Sequence, residues 1–132
     1  MKVTADTNVL VRAAVRDDRN QANAAARLLK GAELIAVSNS CLCEFVWVLD
    51  RVYNFGRAEI ATAINALINA ANVAVNRAAV EAGLAVLNAG GDFADGVIAH
   101  EGRWLGGEVF VSFDKRAVTR VGRIGHEARL LS

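Results

Sequence analysis

Hydrophobic and polar positions along the chain alternate between short apolar runs and longer segments with helical spacing. Short apolar runs bounded by polar residues or glycine are typical of buried strands, and apolar positions three or four residues apart are typical of amphipathic helices. The pattern predicts a buried opening strand that ends at Asp6, and further strands at Leu34–Val37, Val73–Val75, Val109–Ser112 and near Glu127–Leu131. It predicts helices at Val9–Val15, Gln21–Lys30, Cys41–Asn54, Ala58–Asn69, Arg77–Ala89 and Asp92–Trp104.

Strands alternate with helices along the chain, and this order is typical of βαβ units with a parallel sheet. The predicted fold class is therefore α/β, as a three-layer α/β/α sandwich with a central parallel sheet of four to five strands. The 132 residues contain no repeat, no linker and no proline. We expect a single domain over residues 1–132.

Four acidic residues stand where the pattern is otherwise apolar. Asp6 and Asp114 each follow a predicted strand, Glu44 lies one turn into the helix after the second strand, and Asp95 lies in the first turn of a helix. Strand ends and the helix starts that follow them share one edge of a parallel sheet, so we expect these residues to meet there. Gathered carboxylates repel each other and resist ionisation unless a cation joins them.

An all-carboxylate site fits Mg²⁺ or Mn²⁺, which prefer oxygen ligands, better than it fits zinc. Such a metal site supports hydrolysis of a phosphodiester by an activated water. Each acid also has a local explanation: Asp6 can bond the turn backbone, Asp114 can cap the helix after it, and Glu44 can pair with an arginine. Asp92 and Asp95 resemble an N-cap and its reciprocal acid. Together, the four acids favour a metal site.

The predicted helix Cys41–Asn54 has more apolar surface than one core contact needs. Leu42, Phe45, Val46, Leu49, Val52 and Tyr53 form one predicted face, while Trp47, Val48 and Phe55 lie off it. The helical hairpin that this segment forms with the next helix indicates either a partner or dimer interface, or a thick core helix shielded by its neighbours.

Composition limits the cellular location and the classes of ligand that we expect for the protein. No apolar run reaches the ~20 residues of a membrane span, and the start of the chain lacks a secretory-signal layout, so a cytoplasmic location is expected. The net charge of +1 gives no strong attraction to nucleic acid in general. Cys41 and Cys43 have no second ligand pair for zinc, and we expect two reduced thiols in a helix.

Four motifs resemble those of the PIN-domain family, in the same order and over essentially the whole chain, and most closely the toxin ribonucleases of VapBC-type toxin–antitoxin pairs. The motifs are Asp6-Thr7-Asn8-Val9-Leu10, Glu44 within an apolar helix, Phe93-Ala94-Asp95-Gly96-Val97-Ile98-Ala99, and Ser112-Phe113-Asp114-Lys115-Arg116.

The resemblance implies an Mg²⁺- or Mn²⁺-dependent endoribonuclease. It implies that the catalytic, metal-binding residues are Asp6, Glu44, Asp95 and Asp114, with supporting roles for Asn8, Asp92 and Ser112. It also implies a homodimer, and a cognate antitoxin that lays a segment into an apolar groove, which we place around Trp47, Phe55 and the following helix.

Some assignments stay open at this level. Any of Arg12, Arg103 and Arg116 could contact substrate phosphates. His100 and His126 are predicted to be surface or packing residues rather than ligands, because His100 points away from Asp95 on the helix. The alternative function is a non-catalytic α/β binding or interaction module that keeps the acidic cluster for structure or for docking a basic partner. A different phosphate-handling enzyme is disfavoured, since no glycine-rich phosphate loop is present.

Overall fold

The computed structural model describes residues Met1–Ser132. It contains seven helices and five strands, with one or two helices between successive strands. In order they are β1 (Lys2–Thr4), α1 (Thr7–Val15), α2 (Arg19–Gly31), β2 (Leu34–Ala36), α3 (Asn39–Arg51), α4 (Arg57–Ile68), β3 (Val73–Ala74), α5 (Arg77–Asn88), α6 (Phe93–Trp104), β4 (Phe110–Ser112), α7 (Lys115–Arg123) and β5 (Ala128–Leu130).

The chain divides into two compact units, a first unit of Met1–Asn76 and a second unit of Arg77–Ser132. In the first unit, three parallel strands pair in the order β1-β2-β3. In the second unit, β4 and β5 form a parallel pair. The predicted α/β class with parallel strands is thus confirmed. One hydrogen-bonded sheet has three strands and the other has two. The assignment of residues 1–132 to one domain stays a prediction.

Side-chain caps fix several helix starts. Asp18 accepts a hydrogen bond from the amide of Gln21 (3.0 Å), and Ser38 accepts one from the amide of Cys41 (3.1 Å). These bonds satisfy amides that have no partner inside the first turn. Both positions are polar residues directly before an apolar-periodic segment, so the sequence alone marks these starts well.

The core of the first unit lies under α3 and α4. The fully buried side chains of this unit include Leu42 and Leu49 of α3, Ile64 of α4 and Ile35 of β2. Val52, predicted to face inward, is 57% exposed, because α3 already ends at Arg51.

The opening strand was predicted to be buried, and this is wrong for two of its three residues. Lys2 and Thr4 are exposed, while Val3 is half-buried. The physical reason is position: β1 pairs with β2 on one side only and forms the edge of the β1-β2-β3 sheet. By contrast, the middle strand β2 buries Ile35 completely.

In the second unit, α5 and α6 approach each other closely at two glycines. A Cβ atom at Gly96 would overlap the carbonyl oxygen of Ala82, and one at Gly83 would lie 2.6 Å from the ring of Phe93. The missing side chains therefore permit the close packing of the two helices. This contact holds the first turn of α6, which carries Asp95.

The apolar residues around α3 differ in their exposure to solvent. Trp47 on α3 is 56% exposed, whereas Val48 and Phe55 are half-buried. No helix in the structure has the length and apolar character that crossing a membrane requires.

Candidate metal centre

The first unit supplies two of the four predicted site acids, Asp6 and Glu44. Asp6 is exposed at the N-cap position of α1, yet its carboxylate makes no capping hydrogen bond. Glu44 is exposed on α3 and forms no ion pair, so its local explanation, pairing with an arginine, is wrong. The reason is that α3 packs through Cys41, Leu42 and Phe45 and leaves Glu44 on its outer side.

A buried thiol connects the turn that carries Asp6 with the start of α3. Thr7 Oγ1 donates to Cys41 Sγ (3.7 Å), and Cys41 Sγ donates to the carbonyl oxygen of Ala5 (3.6 Å). Burial raises the pKa of Cys41, and the charges of Asp6 and Glu44 raise it further. Both carboxylates therefore act on the same thiol.

Sequence reasoning missed the linking role of Thr7 and Cys41. It treated the two cysteines only as reduced thiols, and no disulfide joins them in the structure. A threonine after the first acid and a cysteine at the start of the following α-helix were the only available signal, and neither residue indicates by itself that the two side chains meet.

The second unit brings three carboxylates into electrostatic range of one another. Asp95 is half-buried, and its pKa is raised from 3.8 to about 6, mainly by burial and then by the charges of Asp92 and Asp114. A carboxyl group that burial and like charges both disfavour in its charged form gains most from a nearby cation. The structure thus gathers the acids of the third and fourth motifs.

Asp92 and Asp114 also serve as helix caps, as their local explanation predicts. Asp92 accepts from the amide of Ala94 (3.2 Å) at the start of α6. Asp114 Oδ1 accepts from the amides of Arg116 (2.9 Å) and Ala117 (3.3 Å) at the start of α7, which leaves Oδ2 without a capping bond. Capping therefore uses one oxygen of Asp114 and does not exclude the other from holding a cation.

The predicted supporting residues differ in their contacts. Ser112 Oγ accepts from the backbone amide of Asp114 (2.9 Å) and so fixes the turn that presents this acid. Asn8 is exposed, and no hydrogen bond joins it to Asp6. The site assignments for these residues remain predictions.

The donors present suit a hard cation. Every predicted ligand is a carboxylate, and Asp6 and Glu44 have no hydrogen bond or ion pair that would compete for their oxygens. Within either unit, no group of three or more His, Cys, Asp or Glu side chains is arranged to hold a metal ion. The residues therefore fit Mg²⁺ or Mn²⁺ by donor type.

The three candidate arginines are not equivalent. Arg12 is engaged, because its guanidinium contacts Asp17 (3.0 Å), Gln21 (2.6 Å) and the hydroxyl of Tyr53 (3.3 Å). Arg116 is exposed at the start of α7, and Arg103 is exposed near the end of α6. The local network thus disfavours Arg12 as a substrate contact.

An apolar groove lies within the first unit. It has a volume of about 380 Å³, and its lining comes mainly from α1 and α4. Leu10 and Ala13 contribute from α1, Phe45 from α3, and Ala63 and Leu67 from α4. The groove includes α4, as the predicted antitoxin site does, but neither Trp47 nor Phe55 lines it.

Comparison with protein-family models gives one result for nearly the whole chain. The model of the PIN domain matches residues 3–124. PIN domains are generally nucleases and typically use divalent metals. No curated relative matches the chain.

Proposed function

The chain belongs to the PIN-domain family, and from that premise we propose that it is a divalent-metal-dependent endoribonuclease. We further propose that it is the toxin of a type II toxin–antitoxin pair. The likeness of its four motifs to the VapBC-type toxins supports this finer assignment.

The observation that carries the proposal is the environment of Asp95. Its half-buried carboxyl has a pKa of about 6, and both Asp92 and Asp114 contribute to the shift. A purely structural helix start would gain nothing from the mutual repulsion of three carboxylates, because this repulsion destabilises the charged form. A divalent cation would reverse the sign of that interaction.

Asp6, Glu44, Asp95 and Asp114 would hold Mg²⁺ or Mn²⁺. When bound, the ion would supply a water of lowered pKa and positive charge against the phosphodiester oxygens. Ser112 would keep Asp114 in place through its hydrogen bond to the amide, and Asp92 would support Asp95 from the same turn. One carboxylate would accept a hydrogen bond from the attacking water and orient it in line with the leaving oxygen.

The partners follow from the same proposal. The apolar groove of the first unit would receive an apolar segment of the cognate antitoxin. We also propose a homodimer and a cytoplasmic location, which light scattering on the purified protein and cell fractionation would test. A non-catalytic binding module remains the competing function.

Cleavage of total and structured RNA by the purified protein, with Mg²⁺, Mn²⁺ or EDTA, tests the proposal. Asp114→Asn is the informative variant, since asparagine caps helices as well as aspartate does. The variant should remain folded and lose at least about a hundredfold in rate, because even the outer partners of metal ligands contribute ten- to a hundredfold.

Asp18→Asn is the matched control. Asp18 is also an N-cap aspartate, but it caps α2 through Gln21 and belongs to none of the four motifs. This variant should cut RNA at the wild-type rate. Full activity of Asp114→Asn at limiting metal would overturn the site assignment, and absence of both cutting and metal binding would favour the binding module.

A further inference from the structure

A cavity in the second unit is lined by four side chains to which the proposed metal site gives no role. His100, Arg103 and Trp104 contribute from α6, and His126 contributes from the segment before β5. The cavity has a volume of about 360 Å³. Residues three and four positions apart share one face of a helix, so α6 presents its three side chains together.

The cavity lies away from the acids of the same unit. Asp95 is in the first turn of α6, whereas Trp104 is its last residue. Asp114 follows the end of β4, whereas His126 precedes the start of β5. Because β4 and β5 run parallel, these two positions mark opposite edges of the pair. A ligand in the cavity would therefore bind apart from the carboxylates.

The cavity has positive character. Arg103 is exposed and forms no ion pair. Burial lowers the pKa of His126, and the positive charges of Arg103 and His100 lower it further. Nε2 of His100 is enclosed and has no hydrogen-bond partner. An anionic oxygen in the cavity would pair with Arg103 and His126, since guanidinium and imidazole N–H groups are donors.

Two sources of negative charge near the cavity oppose the binding of an anion and limit where it can bind. Carbonyl groups at the end of α6 carry partial negative charge, which the full charge of Arg103 exceeds. A neighbouring cavity of about 550 Å³ shares Arg103 but is also lined by Glu108 and Glu127. Arg103 therefore stands between an acidic and a basic cavity, and an anion belongs on the histidine side.

Trp104 adds a flat aromatic surface to this positive cavity, and 77% of the residue is exposed. Aromatic side chains beside cationic groups are the usual platform on which single-stranded nucleic acids stack their bases. We propose that the cavity binds one nucleotide of single-stranded RNA, with the base stacked on Trp104 and the phosphate held by Arg103 and His126. This assignment rests on the proposed function in taking RNA as the substrate.

Binding of a fluorescein-labelled single-stranded oligoribonucleotide, measured by fluorescence anisotropy in EDTA, tests the subsite without cleavage. Trp104→Ala should weaken binding by at least about fivefold, the lower end of what one stacked base contributes. Arg103→Ala should weaken it as well and reduce its dependence on salt. Both side chains are exposed, so thermal unfolding of the variants should match that of the wild type.

Arg27→Ala is the matched control, because Arg27 is an exposed arginine of α2 outside the cavity. It should bind RNA as the wild type does. A second readout uses the two tryptophans of the chain. In a Trp47→Phe background, RNA should quench the emission of Trp104, since stacking brings a base onto its ring.

The outcomes separate this subsite from the proposed function. Unchanged RNA affinity in both Trp104→Ala and Arg103→Ala, or unquenched Trp104 emission on a bound RNA, would overturn the subsite even if the protein cuts RNA. Absence of RNA binding by the wild type would overturn it too. Weaker binding by these variants, beside a wild type that fails to cut RNA with metal, would support the subsite and refute the nuclease.

Discussion

Asp6 and Asp114 occupy the same local position, the N-cap of the helix that follows a strand, yet their carboxylates are engaged differently. Asp114 accepts two backbone amides of α7, whereas Asp6 accepts none from α1. Capping alone therefore explains why an aspartate stands at position 114. It leaves the aspartate at position 6 without a structural reason.

The other two acids differ in their surroundings. Asp95 is half-buried among like charges, in a turn held by the close approach of α5 and α6. Glu44 is exposed on α3 and makes no ion pair. In the second unit, the acids are built into the packing and the caps, and in the first unit they are not. Substitution of the acids should therefore change the free energy of unfolding in the second unit and leave it nearly unchanged in the first.

Gly96→Ala should give the largest effect on stability. The new Cβ would overlap the carbonyl oxygen of Ala82, which is backbone and cannot move aside as a flexible side chain could. Overpacking of this kind lowers the free energy of unfolding by about 1–3 kcal/mol. Urea unfolding followed by circular dichroism would measure it.

Gly31→Ala is the control in the first unit, because a Cβ atom there meets nothing within 4 Å. Its free energy of unfolding should be unchanged or slightly raised, since alanine restricts the unfolded chain. Equal stability of the two variants would show that α5 and α6 do not depend on the glycine contact.

Asp95 should make the metal-free protein lose stability as the pH rises from about 4 to 6. Its folded pKa of about 6 lies above the ordinary 3.8, so the folded state binds more protons than the unfolded chain in this window. The contribution is complete below pH 3.8 and is lost as the pH passes the folded value. For a half-buried group, we expect a loss of about 1 kcal/mol.

Asp95→Asn removes this titration and is the comparison that isolates it. In EDTA, the variant should be more stable than the wild type at pH 7, and its unfolding free energy should vary less between pH 4 and 6. Thermal unfolding across this pH range would show both differences. An identical pH profile in the two proteins would mean that Asp95 is not under electrostatic strain.

Alanine substitution of the two N-cap aspartates should give the smallest effects on stability, and the two variants should differ clearly from each other. Asp114→Ala removes a side chain that bonds two amides, and such losses lower stability by about 1 kcal/mol. Asp6→Ala removes no capping bond and should leave the unfolding free energy within about 0.5 kcal/mol of the wild type. A matching loss in Asp6→Ala would reveal a structural role for Asp6.

Much of the fold could be predicted from the sequence because its helices carry explicit start signals. Asp18, Ser38 and Asp92 all cap helices, and each is a polar residue directly before an apolar-periodic segment. The apolar residues Val80 and Leu84, four positions apart on α5, are both buried, as helical periodicity predicts. These signals are local, so they need no knowledge of what packs where.

The errors arise where tertiary context decides. Periodicity marks which face of an element is apolar but not what covers it. The prediction of a buried β1 is therefore wrong, because β1 is an edge strand of its sheet. The pairing of Gly83 with Gly96 was missed because glycines contribute nothing to a hydrophobic pattern. Likewise, the spacing of His100 and Asp95 separated them on α6 but gave no sign that His126 would join His100 at a cavity.

The enclosed thiol of Cys41 has a consequence for how the first unit moves. Only a thiolate reacts readily with an alkylating reagent, and burial raises the pKa of Cys41 and so keeps its thiol protonated. Its sulfur also lies between Thr7 and Ala5, which flank Asp6. Cys41 can therefore be labelled only in molecules where the turn at Asp6 has briefly parted from α3. Its labelling rate reports how often that turn opens.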